Sequence, residues 1–214
     1  MKPYKSIIFD FDGTLADSLR VMLRAYASLS QKYQLGDVSE QDIQKMRAMT
    51  PFELLHFIHL PIYKLPFFLF QAKGKYKEFA SEIRPFPSIA FVLMELQKKY
   101  SLHILTSNDQ SVVLQFLQEN DMNCFESITS EPNIFGKDHS LRKVLKEIHV
   151  SPESALYIGD EVRDIEACRK VGVPICSVTW GLNAKEFLLK HKPEHIIDQP
   201  EELLEILLGE RITT

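Results

Sequence analysis

The sequence predicts a doubly wound α/β fold: a parallel sheet with helices on both faces, carrying an inserted helical subdomain. Three observations lead to it. Four short apolar runs, Ile7-Ile8-Phe9, Leu102 to Leu105, Leu156-Tyr157-Ile158 and Val173 to Val178, have the continuous hydrophobic character of strands buried on both faces. Between the later runs, apolar residues recur at helical spacing: Ile89, Val92, Leu93 and Leu96; Val112, Val113, Phe116 and Leu117; Leu141, Val144, Leu145 and Ile148. The interval from Asp17 to Arg84 has no clear strand and only helical spacing, which sets it apart from the alternation around it. The expected division is therefore a core of residues 1–16 and 85–214 and a helical unit of residues 17–84.

Bulk properties narrow the function. The chain has 214 residues and 45% hydrophobic content, enough to bury a real core. Lys and Arg total 25 against 29 Asp and Glu, for a net charge of -4, with no block of like charge, which argues against nucleic acid as the partner. Cys124, Cys168 and Cys176 lack C-x-x-C spacing and are odd in number, so neither a disulfide framework nor a zinc site is expected. Met1 to Ser6 lead into β-type sequence without an apolar signal core. The most apolar stretch, Phe52 to Phe70, is broken by His56, His59, Pro61, Lys64 and Pro66, whereas a spanning helix needs roughly 20 apolar residues. A cytoplasmic protein without a membrane span is the expectation.

In chain order, the first strand runs straight into Asp10-Phe11-Asp12-Gly13-Thr14, so two carboxylates leave the sheet at the end where doubly wound folds bind ligands. Strand-like alternation points both the same way. A carboxylate there can attack phosphorus and form an aspartyl-phosphate, dividing one hard hydrolysis into two displacements, while its neighbour transfers protons. A calcium loop is excluded by register: counted from Asp10, the sixth position is Leu15 and the twelfth Val21, where an EF-hand needs Gly and Glu. Two surface acids in a turn are the plainer alternative.

The helical interval opens with Leu19, Met22, Leu23, Tyr26 and Leu29 at helix spacing, and Ser39 with Asp42 makes a capping box. Arg47, ahead of Ala48-Met49-Thr50-Pro51, either pairs with a carboxylate or second phosphate on a substrate or is simply solvated. His56 and His59 share a helix face at i, i+3, with packing or surface roles favoured over metal ligation. Tyr63, Leu65 and Phe67-Phe68-Leu69-Phe70 read first as core packing, with a homodimer contact or an apolar entrance as alternatives to a monomer. Arg84-Pro85-Phe86-Pro87 is a rigid return into the sheet.

After the second strand come Thr106-Ser107-Asn108, which either cradle phosphate oxygens or cap the next helix. Lys137 follows Gly136 at a helix start, either offsetting phosphate charge or lying exposed. The third strand ends in Gly159-Asp160-Glu161-Val162-Arg163-Asp164. Magnesium takes oxygen ligands and keeps several waters, so Asp10, the backbone carbonyl of Asp12 and Asp160 are a candidate set. Asp164, one turn on, either orients metal-bound water or caps the helix and pairs with Arg163. Trp180-Gly181 follows the fourth strand, as a close backbone approach or a plain turn.

These strand-end clusters, in this order, resemble the motifs of the haloacid dehalogenase (HAD) superfamily, and within it the phosphatases similar to phosphoglycolate phosphatase. Asp10-Phe11-Asp12-Gly13-Thr14 looks like its first motif, Leu105-Thr106-Ser107-Asn108 its second, Lys137 its third and Gly159 to Asp164 its fourth, covering nearly the whole chain. The resemblance implies a Rossmann-like core with a helical cap, a nucleophile at Asp10 and an acid/base at Asp12. It further implies phosphate binding by Thr106 and Lys137, substrate contacts at Gly13, Thr14, Arg47, Ser107 and Asn108, and Mg2+ held by Asp10, Asp12 and Asp160 with Asp164 beside them. The expected activity is magnesium-dependent hydrolysis of a small phosphomonoester. A hexose phosphate mutase and a non-catalytic magnesium- or partner-binding protein are the alternatives; dehalogenases usually lack an acid matching Asp12. The segment at Arg47 departs from phosphoglycolate phosphatases in lacking their glycine.

Overall fold

The computed structural model describes residues 4–131 and 136–209; the reading of the extreme N-terminus at Met1 to Pro3 lies outside them. In chain order the elements are β1 (Ser6–Phe9), β2 (Ala16–Asp17), α1 (Leu19–Tyr33), α2 (Glu40–Met46), α3 (Pro51–Phe57), α4 (Leu65–Glu78) and β3 (Arg84–Pro85). Then follow α5 (Ile89–Leu96), β4 (Ser101–Thr106), α6 (Gln110–Glu119), β5 (Ser127–Ser130), α7 (Lys137–Glu147), β6 (Ala155–Gly159), α8 (Val162–Val171), β7 (Ile175–Val178), α9 (Lys185–Lys190), β8 (His195–Ile197) and α10 (Glu202–Leu208).

Six of the strands form one parallel sheet in the order β5-β4-β1-β6-β7-β8. The chain starts in the middle, builds one half outward and then returns to build the other, so the connection reverses beside β1. Loops leaving β1, β4 and β6 therefore splay apart at their carboxyl ends and open a crevice. Ile7 and Phe9 face one layer with α5, α6 and α10, whereas Ile8 faces the other with α7 and α8. All three side chains are fully buried, each contributing about 1.5–3 kcal/mol.

The helical interval is pinned at both ends by β2 and β3, which pair antiparallel as Ala16↔Pro85 and Asp17↔Arg84. Arg84-Pro85 is thus half of a short ribbon, more than a linker. Ser39 and Asp42 form the anticipated capping box, each side chain accepting the other's backbone N–H. In α1 the fully buried stripe is Val21, Ala25, Leu29 and Tyr33, rotated from the anticipated one, because α1 packs both against the sheet layer and against α4. Leu29 and Tyr33 join Leu35, Ile58, Leu60, Leu65 and Phe68 in a separate outer core.

Two other expectations change. His59 lies beyond the end of α3 with φ 55, so it does not share a helix face with His56. The aromatic stretch divides: Leu65 and Phe68 are buried, but Tyr63, Phe67 and Phe70 are 73%, 69% and 81% exposed, since α4 has only one face against α1. No helix among the described residues is long and apolar enough to cross a membrane.

Candidate active site

The site begins where β1 stops. Asp10 N still donates to Ile158 O of β6 at 2.8 Å, holding Asp10 at the sheet's edge. The chain then folds into a tight loop in which the N–H groups of Thr14, Leu15 and Ala16 converge on Phe11 O at 3.3, 2.9 and 3.0 Å. Gly13 has φ +77, and a Cβ there would fall 2.1 Å from Asp160 Oδ2, so both conformation and space require glycine.

Three carboxylates meet beneath this loop. Asp10 accepts from Phe11 N through Oδ1 and from Lys137 Nζ through Oδ2, both at 2.8 Å. Asp160 accepts from Thr14 Oγ1 at 2.8 Å and from Leu182 N at 2.7 Å. Asp164 accepts from Glu161 N at 3.1 Å and forms an ion pair with Lys137. Arg163 is committed to Glu161, with Nε 2.8 Å from Oε1, rather than to Asp164.

Burial and mutual repulsion dominate the electrostatics. Asp10, Asp160 and Asp164 are at most 2% exposed. Burial, reinforced by the charges of Glu161, Asp10 and Asp164, holds Asp160 well above the usual carboxylate range. Burial also pushes Asp164 up to about 6, against the pull of Lys137. Burial alone would lower the Lys137 ammonium, but Asp10 and Asp164 keep it above its ordinary range and charged. One carboxylate oxygen from each of Asp10, Asp160 and Asp164 lies within 4.8 Å of the others. An all-oxygen donor set with three negative charges against one direct cation fits a hard divalent ion such as Mg2+.

Asp12 faces elsewhere. The strand has ended, so alternation no longer applies, and its carboxylate turns away from the trio: Oδ1 accepts from Tyr76 Oη at 2.6 Å and Oδ2 from Asn108 Nδ2 at 2.9 Å. Burial raises its pKa, against those hydrogen bonds. Its side chain is thus not among the clustered oxygens, which leaves its backbone carbonyl as the atom with which it would join a metal.

Of the other anticipated residues, Thr106 is buried at the end of β4, its Oγ1 accepting from Asn108 N at 3.0 Å, and Ser107 is half-buried beside it. Asp109 provides the cap of α6, accepting from Ser111 N at 2.8 Å, so Thr106-Ser107-Asn108 form the turn above the sheet and are not the cap. Lys137 is 10% exposed, not solvated. Thr14 is fully buried with its hydroxyl donating to Asp160. Arg47 is neither solvated nor at the carboxylates: its Nη2 donates to Thr179 O at 3.2 Å.

Several contributors were not anticipated. Tyr76 reaches Asp12 from α4, and Lys73 Nζ, one turn earlier, donates to Ser107 O at 3.2 Å. Asn183 donates through Nδ2 to Arg47 O at 3.1 Å and Met49 O at 3.4 Å while accepting from Val162 N at 2.9 Å, and so ties the helical interval to the Asp160 loop. Gly181 was marked only as a close approach or a turn; a Cβ there would lie 2.3 Å from both Asp160 Cβ and Gly13 O, so the approach is real. No local pattern marks Tyr76 or Asn183, because the partner of Tyr76 is 64 residues away and those of Asn183 are 21 to 136 residues away.

Comparisons with known proteins agree on the family and the fold. Residues 7–178 match the family described as haloacid dehalogenase-like hydrolase. The chain is 28% identical to a phosphoglycolate phosphatase of Synechococcus elongatus, over 94% of this chain and 96% of that one. It is 23% identical to a pyrophosphatase of Bacillus cereus, over 94% and 95%. A haloacid dehalogenase-like hydrolase from Streptococcus pneumoniae superposes with a TM-score of 0.84 at 26% identity, over 96% of this chain and 99% of that one.

Proposed function

We propose, on the premise that this chain belongs to the haloacid dehalogenase-like hydrolase family, that it is a magnesium-dependent phosphatase acting on a small phosphomonoester through an aspartyl-phosphate at Asp10. One observation carries the reading. Two carboxylates two residues apart are held by entirely different partners, Asp10 by Lys137 and Phe11 N and Asp12 by Tyr76 and Asn108, which suits one to attack and the other to proton transfer.

Lys137 holds Asp10 Oδ2 at 2.8 Å and, with Thr106 and Asn108 nearby on the β4 turn, offers donors to phosphate oxygens. Asp12 gives a proton to the leaving oxygen in the first displacement and takes one from water in the second. Asp10, Asp160 and Asp164, with the Asp12 carbonyl, would hold the magnesium ion, which when bound neutralises charge on the phosphate. The named substrates of the relatives, phosphoglycolate and pyrophosphate, are small anions, and this supports a small anionic substrate here.

We assign residues 1–16 and 85–214 to the catalytic core and 17–84 to a helical cap. The separate outer core and the β2–β3 ribbon support that division. The cap covers the crevice through Asn183 on Arg47 and Met49, Lys73 on Ser107 and Tyr76 on Asp12. Such cover excludes water during phosphoryl transfer.

The test is release of inorganic phosphate from a panel of phosphomonoesters, with Mg2+ or with EDTA, by wild type and Asp10→Asn. Turnover that needs Mg2+ and disappears in Asp10→Asn is expected; turnover surviving in Asp10→Asn would remove Asp10 as nucleophile.

A further inference from the structure

Tyr76 sits on α4, in the helical interval, yet its hydroxyl is buried against a core carboxylate with a 2.6 Å hydrogen bond to Asp12 Oδ1. Its ring belongs to the same buried apolar layer as Val21, Ala25, Ile83 and β1, which anchors the hydroxyl from behind. Burial and the Asp12 charge push the phenol far above its ordinary pKa, which leaves it an O–H donor at any working pH. Asn108 Nδ2 holds the other carboxylate oxygen at 2.9 Å from the opposite segment.

We infer that Tyr76 is a positioning residue for proton transfer: its hydroxyl, the nearer of the two donors on this carboxyl, fixes the rotamer of Asp12 and holds Oδ1, so that the more loosely held Oδ2 is the oxygen that delivers the proton to the leaving group. This rests on the phosphatase reading above. A seated donor disfavours a proton on the oxygen it holds, and of the two donors here the phenol is the shorter at 2.6 Å against 2.9 Å for Asn108 Nδ2, so Oδ1 is the more firmly occupied oxygen. In the step itself, an Asp10 oxygen bonds to phosphorus as the phosphorus–oxygen bond to the leaving group breaks. Its electron pair goes to the leaving oxygen, which takes the proton as the Asp12 Oδ2–H bond breaks. Because Tyr76 belongs to the helical interval, its hold on the acid lasts only while that interval is seated, whereas that of Asn108 comes from the β4 turn. Lys73 on Ser107 O and Lys77 on Ser111 Oγ, at 3.2 and 2.9 Å, clamp the same stretch of α4 to the turn that carries Asn108.

Tyr76→Phe keeps the ring and removes only the hydroxyl. Protonation matters most when the leaving group is a poor one, so the test compares an alkyl phosphate with p-nitrophenyl phosphate, whose phenolate departs without help. We expect Tyr76→Phe to lower kcat for the alkyl ester by about 10- to 100-fold, part of the typical general-acid contribution, with KM within about twofold. Loss on p-nitrophenyl phosphate should stay below about threefold. In an Asp12→Asn background the same substitution should add nothing, because its action passes through Asp12. Equal losses on both esters, no loss, or an undiminished effect in the Asp12→Asn background would overturn the inference while leaving the phosphatase reading intact. A wild type that hydrolyses neither ester would overturn both.

Discussion

Lys137 Nζ stands 2.8 Å from Asp10 Oδ2 and also pairs with Asp164, so one ammonium group at the start of α7 compensates two of three clustered buried carboxylates. Removing it should be costly in two ways. Breaking one side of a buried ion pair typically destabilises by about 3–5 kcal/mol. Lys137→Met should lose stability of that order in urea unfolding with EDTA, recover part of it with Mg2+, and show strongly reduced turnover. Unchanged stability in EDTA would mean that the carboxylates are compensated elsewhere.

The carboxyl of Asp164, raised from 3.8 to about 6, gives a sign to the pH dependence of the metal-free protein. The folded state binds this proton more tightly than the unfolded chain, so the contribution is complete below about 3.8 and is lost as pH rises through about 6. Melting temperature in EDTA should fall across that window, and Asp164→Asn should flatten the fall. With Mg2+ present, which selects the ionised carboxylates, the gap between loaded and stripped protein should widen as pH rises.

Gly181→Ala tests a close backbone approach in the site. Its Cβ would lie 2.4 Å from Asp160 Oδ2 and 2.3 Å from Gly13 O, distances at which the loop must move. The substitution should shift Asp160 and weaken Mg2+ binding at least tenfold by calorimetric titration, with a smaller effect on the melting temperature of the metal-free protein. Wild-type affinity would show that the 179–184 loop yields without disturbing the carboxylate.

Asn183 joins Arg47 and Met49 to the first turn of α8. Asn183→Ala removes the side-chain partner of Met49 O and Val162 N, while Arg47 O keeps Ala184 N at 2.8 Å, and should cost about 1–3 kcal/mol. Amide exchange should quicken most from Val162 through the Arg47–Thr50 stretch, and KM should rise more than kcat falls. Exchange that quickens uniformly over the chain would instead mark a global loss of stability.

How far the sequence reveals this arrangement depends on how local its causes are. Ile7-Ile8-Phe9 and Leu156-Tyr157-Ile158 advertise central strands because both faces are buried. Ser127–Ser130 and His195–Ile197 carry no such mark, since they lie at the sheet's edges and are short and partly polar. In the site, Asp10, Asp160 and Lys137 are legible because a strand end or helix start delivers them. The turning away of Asp12 is not legible, because it follows from a loop closed on Phe11 O and from a tyrosine 64 residues later. Thr14 and Arg47 have side chains suited to substrate, and only tertiary packing reveals the hydroxyl of one on Asp160 and the guanidinium of the other on Thr179 O.

The two-rung pairing of Ala16 with Pro85 and Asp17 with Arg84 means that the chain departs the core and comes back to it at one point. Topologically, everything between is a detour that never threads the sheet. The detour has a welded base, where Val21, Ala25, Tyr76 and Ile83 share the core's own apolar layer, and an outer half with a hydrophobic centre of its own. A chimera cut at the ribbon would tear that base out, whereas one cut beyond Ala25 and before Tyr76 exchanges only the outer half. The molecule thus offers a natural seam for recombination, across which the outer half can be exchanged while Tyr76 and its bond to Asp12 stay behind.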